Sequence, residues 1–130
     1  MLLPHVTMEY SANLEAHADM EMLCRKAKNA MMATGLFELG AVRVRAVRCD
    51  AYAIADELPD NAFLAVLVRI GAGRSVAQKK QVGDTLTAAL SSALQPLLDQ
   101  PHFALSVDLI ENDPAFSWKH NSIHSRLRKA

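Results

Sequence analysis

A proline near the amino end, Pro4, opens the run Pro4-His5-Val6-Thr7-Met8-Glu9-Tyr10. When its nitrogen is the free chain terminus, proline is a secondary amine. Ordinary α-amino groups titrate near pH ~7.7–8, and desolvation or a nearby cation lowers that value. Such a nitrogen can act as a general base at neutral pH, a role otherwise left to His or a tuned carboxylate. Inside a chain the same nitrogen is an amide with no available lone pair. Met1, Leu2 and Leu3 precede Pro4 here. Left in place, they silence it as a base. The aminopeptidase that trims initiator Met needs a small residue or proline next, so Leu2 is expected to block trimming. A start at Leu3, from a leucine-type codon read as Met, would expose Pro4 instead.

Arginines supply the other half of a plausible chemistry. Gly71-Ala72-Gly73-Arg74-Ser75 lies between an apolar run and a helix signal. Glycines let backbone approach a ligand, a helix amino end favours an anion, and Arg74 can grip a carboxylate through two donors. The motif is neither a P-loop nor a dinucleotide fingerprint. By itself it is a weak signal, because glycines in a βα turn are more often simple turn chemistry. Arg43 and Arg45 share one face of a predicted strand, and Arg48 falls on the other, where solvated strand charges are the ordinary reading. The five histidines, His5, His17, His102, His120 and His124, show no metal-ligand spacing, and no metal or organic cofactor is expected. No Ser/His/Asp order marks a hydrolase.

The chain that must position these groups has 130 residues, the length of a single domain. Half of them are hydrophobic and few are aromatic, so the core must rest on Leu, Val, Ala and Met. A formal net charge of zero argues against a nucleic-acid footprint. No apolar run approaches the ~18 residues of a membrane span, and the amino end lacks a signal-peptide layout. Cys24 and Cys49 have no C-x-x-C spacing, which favours two thiols in a reducing cytoplasm over a disulfide. The expectation is a cytoplasmic protein that engages neither membrane nor nucleic acid.

Residues 5–10 alternate, with Val6, Met8 and Tyr10 on one face and His5, Thr7 and Glu9 on the other. A helix begins between Asn13 and Asp19, carries Leu23, Ala27, Ala30, Met31 and Thr34 on one face, and stops at Gly35. Residues 42–47 read as the next strand, and 56–61 as a loop. The order then repeats. Residues 62–70 are a near-continuous apolar strand of the kind buried on both faces. Ser75 and Gln78 form a capping box for a second helix with Val82, Leu86, Leu90, Ala93 and Leu97 inward, ended by Pro96 and Pro101. Residues 103–111 close the pattern. Two βαβ units, 4–61 and 62–113, followed by a tail over 114–130, give an α/β (α+β) two-layer sandwich in one domain spanning 1–130. Helices on one face leave the other sheet face bare, so an oligomer is expected. Polar, basic tails of this kind often fray, but Phe116, Trp118 and Ile123 alternate loosely enough to dock as an edge strand on a neighbour.

Taken together, Pro4-His5 with Glu9, Ala33-Thr34-Gly35-Leu36-Phe37, Val42-Arg43-Val44-Arg45, Ile70-Gly71-Ala72-Gly73-Arg74-Ser75 and Trp118-Lys119-His120-Asn121-Ser122-Ile123-His124 resemble the 5-carboxymethyl-2-hydroxymuconate isomerase family of the tautomerase superfamily. The resemblance runs from Pro4 to about His124. It implies a homotrimer of two-βαβ chains that moves a proton without a cofactor, ketonising a dienol polycarboxylate in hydroxyphenylacetate catabolism. It places the catalytic proline on Pro4 and the substrate-binding arginines on Arg43 and Arg74. The second unit begins at Ala62-Phe63 with no proline equivalent, so only the first carries chemistry. Met1–Leu3 depart from the family pattern. They support the alternative of a catalytically silent trimer that keeps the fold and anion pocket, while another substrate is a third reading.

Overall fold

In a computed structural model, which describes residues 4–129, four strands form one mixed sheet of order β2-β1-β3-β4. The strands are β1 (His5–Ser11), β2 (Arg43–Cys49), β3 (Ala62–Gly71) and β4 (Phe103–Asn112). β1 pairs in parallel with β2, and β3 with β4, while β1 and β3 run antiparallel at the centre. Each parallel pair is bridged by a long helix, α1 (Met20–Ala33) or α2 (Val76–Ala93), which is the doubled unit expected from the hydrophobic pattern. A 3-10 turn, Ala12–Ala16, precedes α1, and a short helix α3 (Gln95–Leu98) follows α2.

Alternation fixes which sheet face meets the helices. Val6, Met8 and Tyr10 of β1 and Leu64, Val66, Val68 and Ile70 of β3 are buried against Leu23, Ala27, Ala30 and Met31 of α1 and Val82, Leu86 and Leu90 of α2. Both long helices start at side-chain caps that satisfy orphan backbone donors. Asp19 accepts from the Met22 N–H, and Ser75 and Gln78 exchange a reciprocal pair. Gly35, at φ 71, takes the left-handed conformation just beyond the α1 carboxyl end.

Two expectations are corrected. β3 is buried on one face only within the chain: Leu67 on the other is 39% exposed, beside half-buried Phe63, Ala65 and Arg69. The tail is no edge strand. It forms a 3-10 turn (Pro114–Phe116) and a helix, α4 (Ser122–Lys129), that returns to its own chain. Pro96 does end α2's register, but as an early residue of α3, where a missing N–H costs nothing.

Candidate active site

β1 begins, β2 begins and β3 ends at the same edge of the sheet, which gathers the residues of interest. Register sets His5 opposite Arg43 on one side and Arg69 on the other. Pro4, immediately before β1, is fully buried, and its carbonyl accepts the Arg43 backbone N–H at 3.2 Å. On the helix-free face, Arg43 Nη1 lies 3.2 Å from His5 Nε2, and Arg45 Nη1 lies 3.4 Å from His5 Nδ1. Arginine can only donate, so a neutral imidazole accepts from one of them at a time. The shorter Arg43 contact assigns the ring proton to Nδ1. Burial lowers the His5 pKa, and Arg43, Arg45, Arg69 and Lys119 push it further in the same direction. His5 is therefore a neutral acceptor in a positive field.

These side chains floor a cavity of about 490 Å³. His5, Arg43 and Arg69 come from the sheet, Asn112 and Asp113 from the end of β4, and the remaining wall is residues 116–121 of the tail. Asp113 already accepts the Ala115 N–H at 2.9 Å. Among the described residues, none of Arg43, Arg45 and Arg69 is ion-paired to a carboxylate. Uncompensated guanidinium groups around a concavity attract anions, and carboxylates match their donor geometry. No group of three or more His, Cys, Asp or Glu among the described residues could hold a metal ion.

Arg74 reaches the same edge by another route. It follows the end of β3, and Gly73, at φ 109, makes the left-handed turn that sends it back over the chain. Its guanidinium stacks 5.2 Å from the Phe37 ring centroid and Nη2 donates to the Leu36 carbonyl. Leu36 is itself fixed, because its N–H donates to Thr34 Oγ1 at 3.2 Å. The Arg74 Nε is buried with no hydrogen-bond partner. Its geometry suits a further acceptor such as a carboxylate oxygen. Arg74 does not line the cavity of Arg43, and neither does Pro4.

The wall over the cavity is held by a clip at the turn Leu39–Ala41, just before β2. Asn121 Nδ2 donates to the Gly40 carbonyl at 2.8 Å, and Asn121 Oδ1 accepts the His124 N–H at 2.9 Å. Arg128 forks onto Glu38, Nε donating to Oε2 at 2.8 Å and Nη2 to Oε1 at 2.7 Å, while His124 Nε2 lies 2.9 Å from the same Oε2. The Arg128 bonds hold the Glu38 carboxyl below its usual range, against a smaller opposing effect of burial.

Of the residues singled out in the sequence, Pro4 and Arg43 are thus joined directly, while Arg74 stands apart over Phe37. His5, Arg69 and Lys119 gain a place at the site that sequence reasoning did not give them. Only the antiparallel register of β1 and β3 sets Arg69 beside His5, and no local pattern encodes it. The Thr34-Gly35-Leu36-Phe37 and Asn121–His124 motifs turn out to seat Arg74 and the tail.

The 5-carboxymethyl-2-hydroxymuconate isomerase family profile matches residues 4–127. An Escherichia coli 5-carboxymethyl-2-hydroxymuconate Delta-isomerase is 32% identical over 126 residues, covering 97% of this chain and 100% of that one. A solved 5-carboxymethyl-2-hydroxymuconate isomerase from Deinococcus radiodurans R1 is 38% identical with a TM-score of 0.88, over 96% of this chain and 94% of its own. A fused 4-OT wild-type protein, solved as a symmetric trimer, shares the fold at 13% identity and a TM-score of 0.66, over 93% of this chain and 98% of its own.

Proposed function

The chain belongs to the 5-carboxymethyl-2-hydroxymuconate isomerase family, and from that premise we propose that it ketonises 5-carboxymethyl-2-hydroxymuconate, with Pro4 as general base and Arg43 and Arg74 as carboxylate holders. The observation that carries this reading is the set of arginines, Arg43, Arg45 and Arg69, that among the described residues have no carboxylate partner at the sheet edge where Pro4 sits. The family match also begins at Pro4, which supports assigning the family's terminal proline to it.

The neutral Pro4 nitrogen removes the proton of the substrate 2-hydroxyl. The oxygen electron pair closes the C2=O bond, the C2=C3 pair moves to C3=C4, and the C4=C5 pair takes a proton at C5, so that the proton gained at carbon matches the one lost from oxygen and Pro4 returns to its neutral form. The product is the conjugated ketone, and no electrons are gained or lost. Arg43 and Arg74 hold carboxylates and stabilise the enolate charge that develops between the two proton transfers. Their field also favours the unprotonated amine, lowering its pKa toward neutrality. The substrate supplies its own electron path, so no cofactor is required.

We read the assembly as a homotrimer acting in the cytoplasm, in breakdown of an aromatic acid. The exposed apolar residues of the helix-free sheet face support self-association. Among the described residues, no helix is long and apolar enough to cross a membrane.

The deciding experiment compares two proteins, both checked by intact mass. One begins at Pro4, made as Met-Pro and trimmed in the cell. The other retains Met1–Leu3, which lie outside the described residues. The trimmed protein should ketonise the dienol, and the extended one should be nearly inert, because acylation removes the basicity of the proline nitrogen. Equal activity would sink Pro4 as the base. Inertness of both would favour the silent trimer.

A further inference from the structure

We propose that the clip between the tail and the Leu39–Ala41 turn is a positioning device for the cavity, with Glu38, Gly40, Asn121 and Arg128 holding residues 117–121 as its wall and fixing the launch of Arg43. The inference rests on the reading above only in its kinetic arm.

The geometry requires such a fastener. α4 has eight residues, too few to persist as a helix alone in water, and terminal segments fray unless tied down. Its only buried residue is His124, at 8% exposure, so apolar packing does little to hold it. A single exposed ion pair would be a weak fastener. Here the two-bond fork of Arg128 on Glu38 is joined by Asn121, which caps α4 with its Oδ1 and reaches Gly40 with its Nδ2. These contacts bracket Gly40, and backbone passes closely there: a Cβ on Gly40 would meet the His124 Cα at 2.5 Å.

Both ends of the clip lead straight to the site. Three residues after Gly40 comes Arg43, whose N–H is bonded to the Pro4 carbonyl and whose guanidinium contacts His5. Immediately before Asn121 come Trp118, Lys119 and His120, which face the cavity. Loosening the clip therefore removes one wall and slackens the turn that aims Arg43, while the sheet and its core, which lie elsewhere, stay intact. A purely structural clip would instead change stability and leave binding alone.

Gly40→Ala is the sharpest probe. It deletes no polar group, Gly40 is not among the glycines with positive φ, and the three atoms nearest an added Cβ all belong to His124 of the tail. Trp118 is the sole tryptophan, so its emission anisotropy reports on the wall directly. In the protein beginning at Pro4, Gly40→Ala should lower that anisotropy and raise KM for the dienol about tenfold, with kcat within about twofold. Ending the chain after Asn121 should do the same, and Gly40→Ala should then add nothing, because its clash partner is gone. Far-ultraviolet circular dichroism checks that each variant is folded, and Arg128→Ala serves if Gly40→Ala is not. An unchanged Trp118 anisotropy overturns the proposal, as does a mobile Trp118 with unchanged KM. Should the unaltered protein fail to turn over the dienol, the reading above falls, and calorimetric affinity for tricarballylate judges the clip instead. About tenfold weaker binding in Gly40→Ala supports it. Equal binding, or none by the unaltered protein, overturns it.

Discussion

Arg43, bonded through its backbone to Pro4, and Arg74, stacked on Phe37, sit in different surroundings, which predict different penalties. Arg43 works from the helix-free face with His5 as its contact. With the carboxylate-holding role proposed for it, Arg43→Ala should lose about 1.5–3 kcal/mol in kcat/KM, with little change in stability. Arg74→Ala should lose a similar amount of binding and, in addition, about 0.5–1 kcal/mol of stability from its stack on Phe37. Arg48 is the internal control. It is exposed and occupied by Glu15 and Asp50, so Arg48→Ala should leave steady-state kinetics unchanged. His5 adds a pH dependence. Its folded pKa lies below the ordinary 6.5, so the unfolded chain takes up this proton first as pH falls. The associated stability is complete above about pH 6.5 and is lost as pH falls through the folded value. Glu38 and Asp56, also shifted downward, act only in the lower carboxylate range. Urea midpoints taken between about pH 7.5 and about pH 5.5 should therefore decline, and His5→Asn should flatten that decline. An equally steep decline in the variant would assign it to other groups.

At the scale of elements, the cap of α2 begins at the residue after Arg74. Ser75 accepts from the Gln78 N–H at 3.1 Å and the Gln78 side chain returns the bond to Ser75 N at 2.9 Å. Ser75→Ala takes the acceptor from the Gln78 N–H and should cost about 1 kcal/mol, read as a lower urea midpoint at unchanged slope. An unchanged midpoint would mean that tertiary packing alone sets the start of this helix. The α1 end works in the same way for the other half of the Arg74 seat. Gly35 turns the chain, Thr34 binds the Leu36 N–H, and Gln81 of α2 donates to the Thr34 carbonyl at 3.3 Å. Arg74 is thus held where two helix termini meet.

For the whole molecule, the helix-free face is the dominant feature. Val47, Leu67 and Ile110 are each more than one third exposed there, alongside Ala65, Ala104 and the arginine cluster. A strip of this kind is covered most economically by copies of itself, and closed symmetry avoids leaving a further open edge. Light scattering at micromolar concentration should return three chain masses. A monomer would leave the strip in water and remove the argument for a trimer. Charge substitution at the centre of the strip, Leu67→Glu, should dissociate the assembly while circular dichroism stays near that of the parent.

Local chemistry alone determined the order of strands and helices, the inward residues of α1 and α2, the Ser75–Gln78 cap and the turn at Gly35. Each of these depends on residues within about one or two helical turns of one another, so periodicity and capping preferences carry them. The sequence also set Pro4, Arg43 and Arg74 apart, through motif resemblance rather than periodicity. Tertiary structure alone decided what surrounds them. Antiparallel pairing of β1 with β3 placed Arg69 across from His5, a choice of register between segments far apart in the chain. The stack of Arg74 on Phe37 came from the meeting of the β3 end with the α1 end. The tail is a helix rather than a strand, with Asn121 bonded to Gly40 and Arg128 to Glu38. With one buried residue in eight, α4 carries almost no apolar period of its own, so its conformation is written in partners that only the folded chain brings together.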